Sequence, residues 1–418
     1  MKTLKQVYSS YEKDNQIDPS LYSQHNVKQG LRNEDGTGVK VGLTKICDVV
    51  GYEMVDGKKK NVDGKLIFRG YSIQDLIQMD NAFENTAFLL IFGKLPNQEE
   101  LNIFHQTLMD MNQSAMIDES YTTSNILNAL QIDILKMYSL DPNPDSDTLE
   151  ERMIRGLAVL SSMPLFVFSN YHHKKITRYP CPDESFAKNI LALVRQNKDI
   201  SPQEIKAMDT LLVLHADHGG GNNSTFANVV ISSTGTDIYS CISASVGSLK
   251  GPRHGGANAK VYQQFLTILQ DVGTTQDPQI LYDIAVRLLK KDYFDKSGLI
   301  YGIGHAIYTI SDPRATAMKE TCQMLAHEKG KDKHFETLVA FEKAAIQAMK
   351  DIKGIDACPN VDFYSGLTYS LLGIDQSLFT PMFCIARTAG WVAHHLENRQ
   401  NNRKLIRPAN AYVGFENK

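Results

Sequence analysis

The sequence predicts a mainly α-helical protein with a small β element near residues 40–70, and three observations carry that expectation. From residue 70 onward apolar residues recur at helical spacing, several helix starts carry capping pairs, and glycines stand where those helices should stop. Strand-like alternation is confined to one short stretch.

The elements follow in chain order. Val41 and Leu43, then Leu66 and Phe68, alternate with polar residues, while Asp56-Gly57 and Asp63-Gly64 are dipeptides that hairpin turns favour. Ser72 with Asp75 three places on is a capping pair, each side chain placed to satisfy an orphan backbone donor. The apolar run Ala87–Phe92 ends at Gly93, and Leu101, Phe104 and Leu108 make the next stripe. Gly156–Phe168 is the other strongly apolar stretch, but Ser and Pro break it before it reaches the ~20 residues of a membrane span. Ser201-Pro202-Gln203-Glu204 sets a cap, an N1 proline and an N3 acid ahead of Ile205, Met208 and Leu212. Further stripes are Val261/Phe265/Ile268 up to Gly273, then Ile280/Ile284/Leu288, then Asp312-Pro313 leading Met318 and Cys322 towards Gly330, and Leu338/Phe341/Ala345/Met349. A dozen or more helices are expected. There is no repeat, no long charge run and no Pro/Ser-rich linker, so domains must join through short connections.

Composition excludes several classes. At about 150 residues per domain, 418 residues predict two or three domains. The net charge of −3 gives no basic field for nucleic acid or anionic lipid. The six cysteines lie far apart with no CxxC pair, so neither a zinc ribbon nor a disulfide framework is expected and a reducing cytoplasm fits. The N-terminus has no apolar signal-peptide region. Each Gly-Lys pair lacks the Ser or Thr of a P-loop, and Gly302-Ile303-Gly304 meets Ile307 where a dinucleotide fingerprint requires a small residue. HExxH is absent, and neighbours such as His394 and His395 diverge by about 100° on a helix, so no metal site is expected there.

Four segments place polar residues in apolar or glycine-rich surroundings, where buried chemistry belongs. In the first, His215 and His218 share a spacing open to a metal pair or to satisfied core histidines, ahead of Gly219-Gly-Gly-Asn-Asn-Ser-Thr225. In the second, His254 precedes two glycines and a helix start that would suit an anionic or carbonyl ligand; the alternative is a glycine turn with an incidental histidine. The third, Tyr301-Gly-Ile-Gly-His305, runs to Asp312-Pro-Arg314. In the fourth, Asp362 stands among apolar neighbours, either as a base with a raised pKa or as a helix N-cap. Arg387 within an apolar helix requires an anion, from the protein or from a substrate, and Arg407 in the terminal tail poses the same question. Histidines to polarise a carbonyl, a carboxylate base and three arginines suit carbon–carbon bond formation between a carbonyl dianion and a carbon acid, a choice that spacing alone does not make.

In this order, HADH…NNST, GPRHGGAN, GIGHAIY…DPRA, PNVDFYSG, FTPMFCIARTAGWVAHHLE and LIRP closely resemble the citrate synthase family, over residues 30–415 and with LIFRGYSIQDLI upstream. The resemblance implies a mostly helical homodimer, with a large domain of residues 1–257 and 373–418 and a small domain of residues 258–372 that closes over the substrates. It implies that His218, Arg314 and Arg387 bind oxaloacetate and that Arg407 reaches the same dianion across the dimer. It assigns Asp362 to proton removal from acetyl-CoA, His254 to the thioester oxygen and His305 to the oxaloacetate ketone. Gly302 and Gly304 would contact coenzyme A, which enters as a substrate; no tightly bound cofactor and no metal are implied. The sequence departs from the family at Gly219, Arg253, Tyr301, Ile303 and Thr309, the last where a basic residue commonly meets a coenzyme A phosphate. The rival within the family is 2-methylcitrate synthase, which uses propionyl-CoA; a metal-dependent hydrolase built on His215 and His218, and a catalytically dead scaffold, are the readings from other classes.

Overall fold

The computed structural model describes residues 16–113, 125–401 and 404–414. Contacts divide the chain into two units, Met1–Leu43 with Ile406–Lys418, and Thr44–Leu405. In the first unit, helix α1 (Ser20–Gln24) and a single 3-10 turn (Gln29–Leu31) lead to a loop closed by the Arg32–Gly38 bridge. The strand expected around Val41 and Leu43 is not formed: both side chains are exposed, Leu43 completely, and no partner strand pairs with them. Alternation over so few residues specifies a strand only where a neighbour supplies hydrogen bonds.

The second unit begins with an antiparallel sheet of β1 (Cys47–Val55), β2 (Lys58–Phe68) and β3 (Tyr71–Ser72) in that order. Asp56 (φ 49°) and Gly57 (φ 74°) make the expected hairpin turn, since a two-residue primed turn needs both in the left-handed region. Asp63-Gly64 is not a turn. It lies inside β2, where the register shifts: Val50 pairs with Lys65 but Tyr52 with Asn61, so Gly51 faces Val62, Asp63 and Gly64 across a bulge.

Helices α2 (Ile73–Leu76), α3 (Ala82–Phe92), α4 (Gln98–Asp110), α5 (Ile126–Leu140), α6 (Leu149–His172), α7 (Phe186–Arg195) and α8 (Pro202–Ala216) follow. Then come α9 (Asn223–Ser232), α10 (Ile238–Leu249), α11 (Ala257–Val272), α12 (Pro278–Leu289), α13 (Pro313–Glu328), α14 (Asp332–Lys353), α15 (Asp362–Leu371) and α16 (Phe379–Asn401). Ser201 and Glu204 form the expected reciprocal box ahead of Pro202 and Asp312 caps α13, whereas at Ser72 only half of the pair forms: Ser72 accepts from Asp75 N–H, but the Asp75 carboxylate accepts from the Ser72 hydroxyl rather than from backbone. Helix α3 lacks a local cap. The Asp209 carboxylate of α8 replaces it, accepting from Ala82 N–H at 2.7 Å and Phe83 N–H at 2.8 Å, and burial pushes that carboxyl up to about 7.

Two helices place the site. Helix α6 is 24 residues long and, despite Pro164, apolar and long enough to cross a membrane; 83% of its apolar window is buried inside the protein, against α16 among others. Sequence inspection underrated its length because Ser161 and Ser162 read as breaks, whereas both hydroxyls bond backbone carbonyls of helical residues, Leu108 of α4 and Ala158 of α6 itself. Helix α16 crosses the end of α8 at Gly390, where a Cβ would lie 2.5 Å from the Ala216 carbonyl oxygen. That close approach lays the preceding turn of α16, with Arg387, under the last turn of α8.

Candidate active site

Apart from Arg387, which lies inside α16, the site residues sit at the ends of helices and in loops, and all lie within the second unit except Arg407. Arg407 is exposed and belongs to the first unit.

Arg387 is completely buried in α16. Its Nε donates to the His215 carbonyl at 2.6 Å, which pins the guanidinium under the end of α8, and it stacks over Phe383 at 4.6 Å. Both Nη atoms are buried without a hydrogen-bond partner among the described residues. Burial lowers its pKa only to about 10, so at neutral pH the group is a cation with two donors left over. Arg314, on the first turn of α13, differs: its Nη2 and Nε hold the buried Asp312 carboxylate at 2.8 and 3.1 Å. The cap of α13 is thus also the counter-ion of Arg314, two residues on.

Three histidines face this pair. His218 lies just past α8 and is buried, and its Nε2 has no partner. Burial, with Arg314, His305 and Arg387 adding like charge, pushes it well below the ordinary histidine range, so it is neutral. Its ring meets that of His305 edge to face at 5.1 Å. His305 accepts at Nδ1 from the backbone N–H groups of Ile307 and Tyr308, both at 3.1 Å, which puts its proton on Nε2; that nitrogen lies 3.3 Å from Arg314 Nη2. Tyr308 stacks on His305 at 4.7 Å and under Arg314 at 5.8 Å. His254 is half-buried, and its Nε2 is 3.1 Å from the Ser224 hydroxyl. Burial and then Arg387 bring His254 down to about 4, so it too is neutral.

Asp362 opens α15 without capping it: Val361 stands at the cap position and no side chain accepts there. Its carboxyl is pushed up to about 6, mainly by burial and by Asp312, against the pull of Arg314, Arg387 and a hydrogen bond from Asn258. It is thus a base with more proton affinity than an exposed aspartate, within the field of both arginines.

Gly302 and Gly304 both have positive φ, 83° and 100°. A Cβ on Gly302 would strike Phe363 Cδ2 at 2.9 Å, whereas Gly304 faces open space. The loop is tied to the segment before α15, with Gly304 N–H on the Cys358 carbonyl at 2.8 Å and Asn360 bridging both glycine carbonyls at 2.9 Å. These bonds hold His305 and Asp362 in one frame.

Other residues singled out earlier fall elsewhere. His215 donates to the Leu211 carbonyl and packs on Phe383 and Tyr369, a core histidine rather than a partner to His218. His394 pairs with buried Asp217 at 3.2 Å, while His395 lies in the field of Arg152 and Asp147. Ser224, Asn258, Asp312 and Tyr308 were not identified from sequence as site residues, although Asp312 was read as a helix cap. Ser224 stood in plain view after the Asn222 cap, but its task is set by His254, 30 residues away.

The family model described as "Citrate synthase, C-terminal domain" matches residues 33–409. The chain belongs to the citrate synthase family. It is 33% identical over 401 residues to a citrate synthase of Haloferax volcanii, covering 93% of this chain and 96% of that one. To citrate synthase 2 of Bacillus subtilis it is 35% identical, with coverage of 84% and 91%, and to 2-methylcitrate synthase 1 of Corynebacterium glutamicum 33% identical, with coverage of 84% and 90%. The Thermoplasma acidophilum citrate synthase, solved as a ternary complex with carboxymethyl coenzyme A and oxaloacetate, superposes with a TM-score of 0.74 at 25% identity over 94% of this chain and 97% of that one. A member of this family is a transferase, and the mainly helical fold expected from sequence is the family's fold.

Proposed function

We propose that this citrate synthase family member condenses acetyl-CoA with oxaloacetate and hydrolyses the citryl thioester to citrate and coenzyme A. One observation carries the reading: among the described residues, Arg387 Nη1 and Nη2 and His218 Nε2 are buried donors or acceptors without a partner, and Arg387 lies in the field of Asp362. A dicarboxylate with a ketone supplies what they lack. Arg387 takes one carboxylate in bidentate fashion, Arg314 turns a free edge to the other, and His305 Nε2–H donates to the ketone oxygen.

Asp362 then removes a proton from the acetyl methyl group, and His254 holds the enolate oxygen. Donation from His254 requires its proton on Nδ1; Ser224 Oγ, 3.1 Å from Nε2, donates to Asn222 Oδ1 at 2.8 Å in the free protein and must turn that hydrogen to Nε2 for this tautomer. The methyl carbon attacks the ketone carbon, the carbonyl π pair moves to oxygen, and that oxygen takes the His305 proton. Water finally cleaves the thioester of citryl-CoA. The neutrality of His254 supports the enol chemistry, because a neutral donor can match an enolate oxygen without first releasing a charge into a buried site.

The open face of Gly304 supports passage of coenzyme A along this loop. Closure of residues 258–372 would then keep water from the enolate. A homodimer in which Arg407 completes the partner's oxaloacetate site accords with its exposure, and Ile132 and Leu135 of α5 add exposed apolar surface for such an interface.

The test is steady-state thiol release with oxaloacetate and either acetyl-CoA or propionyl-CoA. A higher kcat/KM for acetyl-CoA is expected. A propionyl preference would instead make the activity that of a 2-methylcitrate synthase, the alternative supported by the resemblance to one such enzyme, since one methylene changes binding by only about 1–3 kcal/mol. No thiol release with either acyl-CoA would overturn the reading.

A further inference from the structure

The 307–313 segment, which links His305 to Arg314, does not support itself. It lies on the β1–β2 hairpin at the bulge. A Cβ on Gly51 would lie 2.5 Å from the Ile307 carbonyl oxygen, and one on Gly64 would lie 2.7 Å from Tyr308 Cδ1 and 2.9 Å from Pro313 Cδ. Neither glycine has a positive φ, so backbone conformation does not require them. They are glycines because another backbone occupies the space. Polar contacts fix the register of the contact: Gly64 N–H donates to Ser311 Oγ at 3.1 Å, Ser311 Oγ donates to Asp63 at 3.0 Å, and Tyr308 Oη donates to the Lys65 carbonyl at 3.2 Å. Tyr308 is buried and stacks on the His305 ring, and its own N–H is one of the two that fix the His305 tautomer.

From these contacts we propose that the β1–β2 hairpin is a positioning element for His305, with Gly64 and Ser311 as positioning residues that act through Tyr308. The irregular register of the hairpin is the feature that makes the seat: three residues of β2 opposite Gly51 bring Gly64 and Asp63 under the loop, where a regular ladder would carry side chains into it. The effect on chemistry follows from geometry. The ketone is polarised only if His305 Nε2–H points at its oxygen, and a displacement of about 1 Å costs on the order of 10²-fold in rate.

This inference rests on the oxaloacetate reading of the site, and the experiment separates the two. The carbon-13 resonance of the C2 carbonyl of bound oxaloacetate reports polarisation directly. It is measured with Gly64→Ala, with Ser311→Ala, and with Met54→Ala, which changes an exposed residue of β1 outside the seat. The wild type and Met54→Ala should show the same downfield shift from free oxaloacetate. Gly64→Ala should lose most of that shift, with kcat lower by roughly 10- to 100-fold and a smaller change in oxaloacetate KM. Ser311→Ala, which inserts nothing and is expected to fold normally, should lose part of it. A bound resonance in Ser311→Ala and in folded Gly64→Ala equal to the wild type's would overturn the positioning role alone. An unshifted resonance in the wild type itself would overturn the functional reading and the proposal with it.

Discussion

Replacing Asp362 with Asn should abolish the reaction and stabilise the protein, a pairing that separates a catalytic carboxylate from a structural one. The site raises the Asp362 pKa from the ordinary 3.8 to about 6. About two units at ~1.4 kcal/mol each means that ionising this group in the folded protein costs about 3 kcal/mol more than in the unfolded chain. The sign follows from proton uptake. Between pH 4 and 6 the native state holds the proton more tightly, so stability falls as pH rises through that window, and the full loss is present above about pH 6. Asn removes the charge and keeps the shape, and it can donate to Asn258 Oδ1, a buried acceptor without a partner. For 418 residues the entropy of unfolding is about 0.9 kcal/mol/K, so 3 kcal/mol corresponds to about 3 °C. Calorimetry of the ligand-free protein should therefore show the variant melting about 3 °C higher at pH 8 and level with the wild type near pH 4. Its kcat should fall by about 10²- to 10⁴-fold at all pH values, while wild-type kcat/KM rises to a plateau above about pH 6. A variant that melts lower than the wild type at pH 8, or whose advantage does not shrink on acidification, would refute the account of Asp362 as a desolvated base.

Two further outcomes follow from the same geometry. Ser224→Ala should lower kcat by roughly 10- to 100-fold with oxaloacetate KM nearly unchanged, because it frees the His254 tautomer without touching the arginines, and Ser224→Thr should restore most of the rate. An Arg407→Ala homodimer should bind oxaloacetate poorly, and mixing it with Asp362→Ala subunits should recover activity through heterodimers with one complete site; titration of the mixture by thiol release reads this, and no recovery would exclude the shared site.

How much of this was legible depended on how far along the chain a residue's partner lies. Helix starts were read correctly because a cap and its donors are three residues apart: Ser72 with Asp75, Ser201 with Glu204 and Asp312 with α13 all satisfy backbone groups within one turn. The cap of α3 was invisible because it comes from Asp209, more than 120 residues away. Asp63-Gly64 has the composition of a turn, and nothing nearby says that its glycine is instead dictated by the backbone of residue 311. The site residues themselves were recognisable as types out of place, but the interactions that orient them were not, since Ser224, Asn258 and Tyr308 are ordinary residues until the fold sets them beside His254, Asp362 and His305.

Arg387 shows where sequence reading stops and geometry takes over. A guanidinium in an apolar helix requires an anion, and sequence alone leaves open whether the protein or a substrate provides it. The nearest protein candidate is Asp217, at the end of α8, which lies in the field of Arg387. Its Oδ2, however, is held by His394 at 3.2 Å and by Gly219 N–H at 3.1 Å, and neither Nη of Arg387 bonds an oxygen of the described residues. Asp312, another buried carboxylate at the site, is held by Arg314. Asp217 Oδ1 is itself unpartnered and Asp362 lies in the same field, yet neither bonds Arg387 among the described residues, so both Nη atoms stay open to an anion from outside. A protein of net charge −3 thus retains a buried cation for a dianionic substrate by engaging its own carboxylates elsewhere.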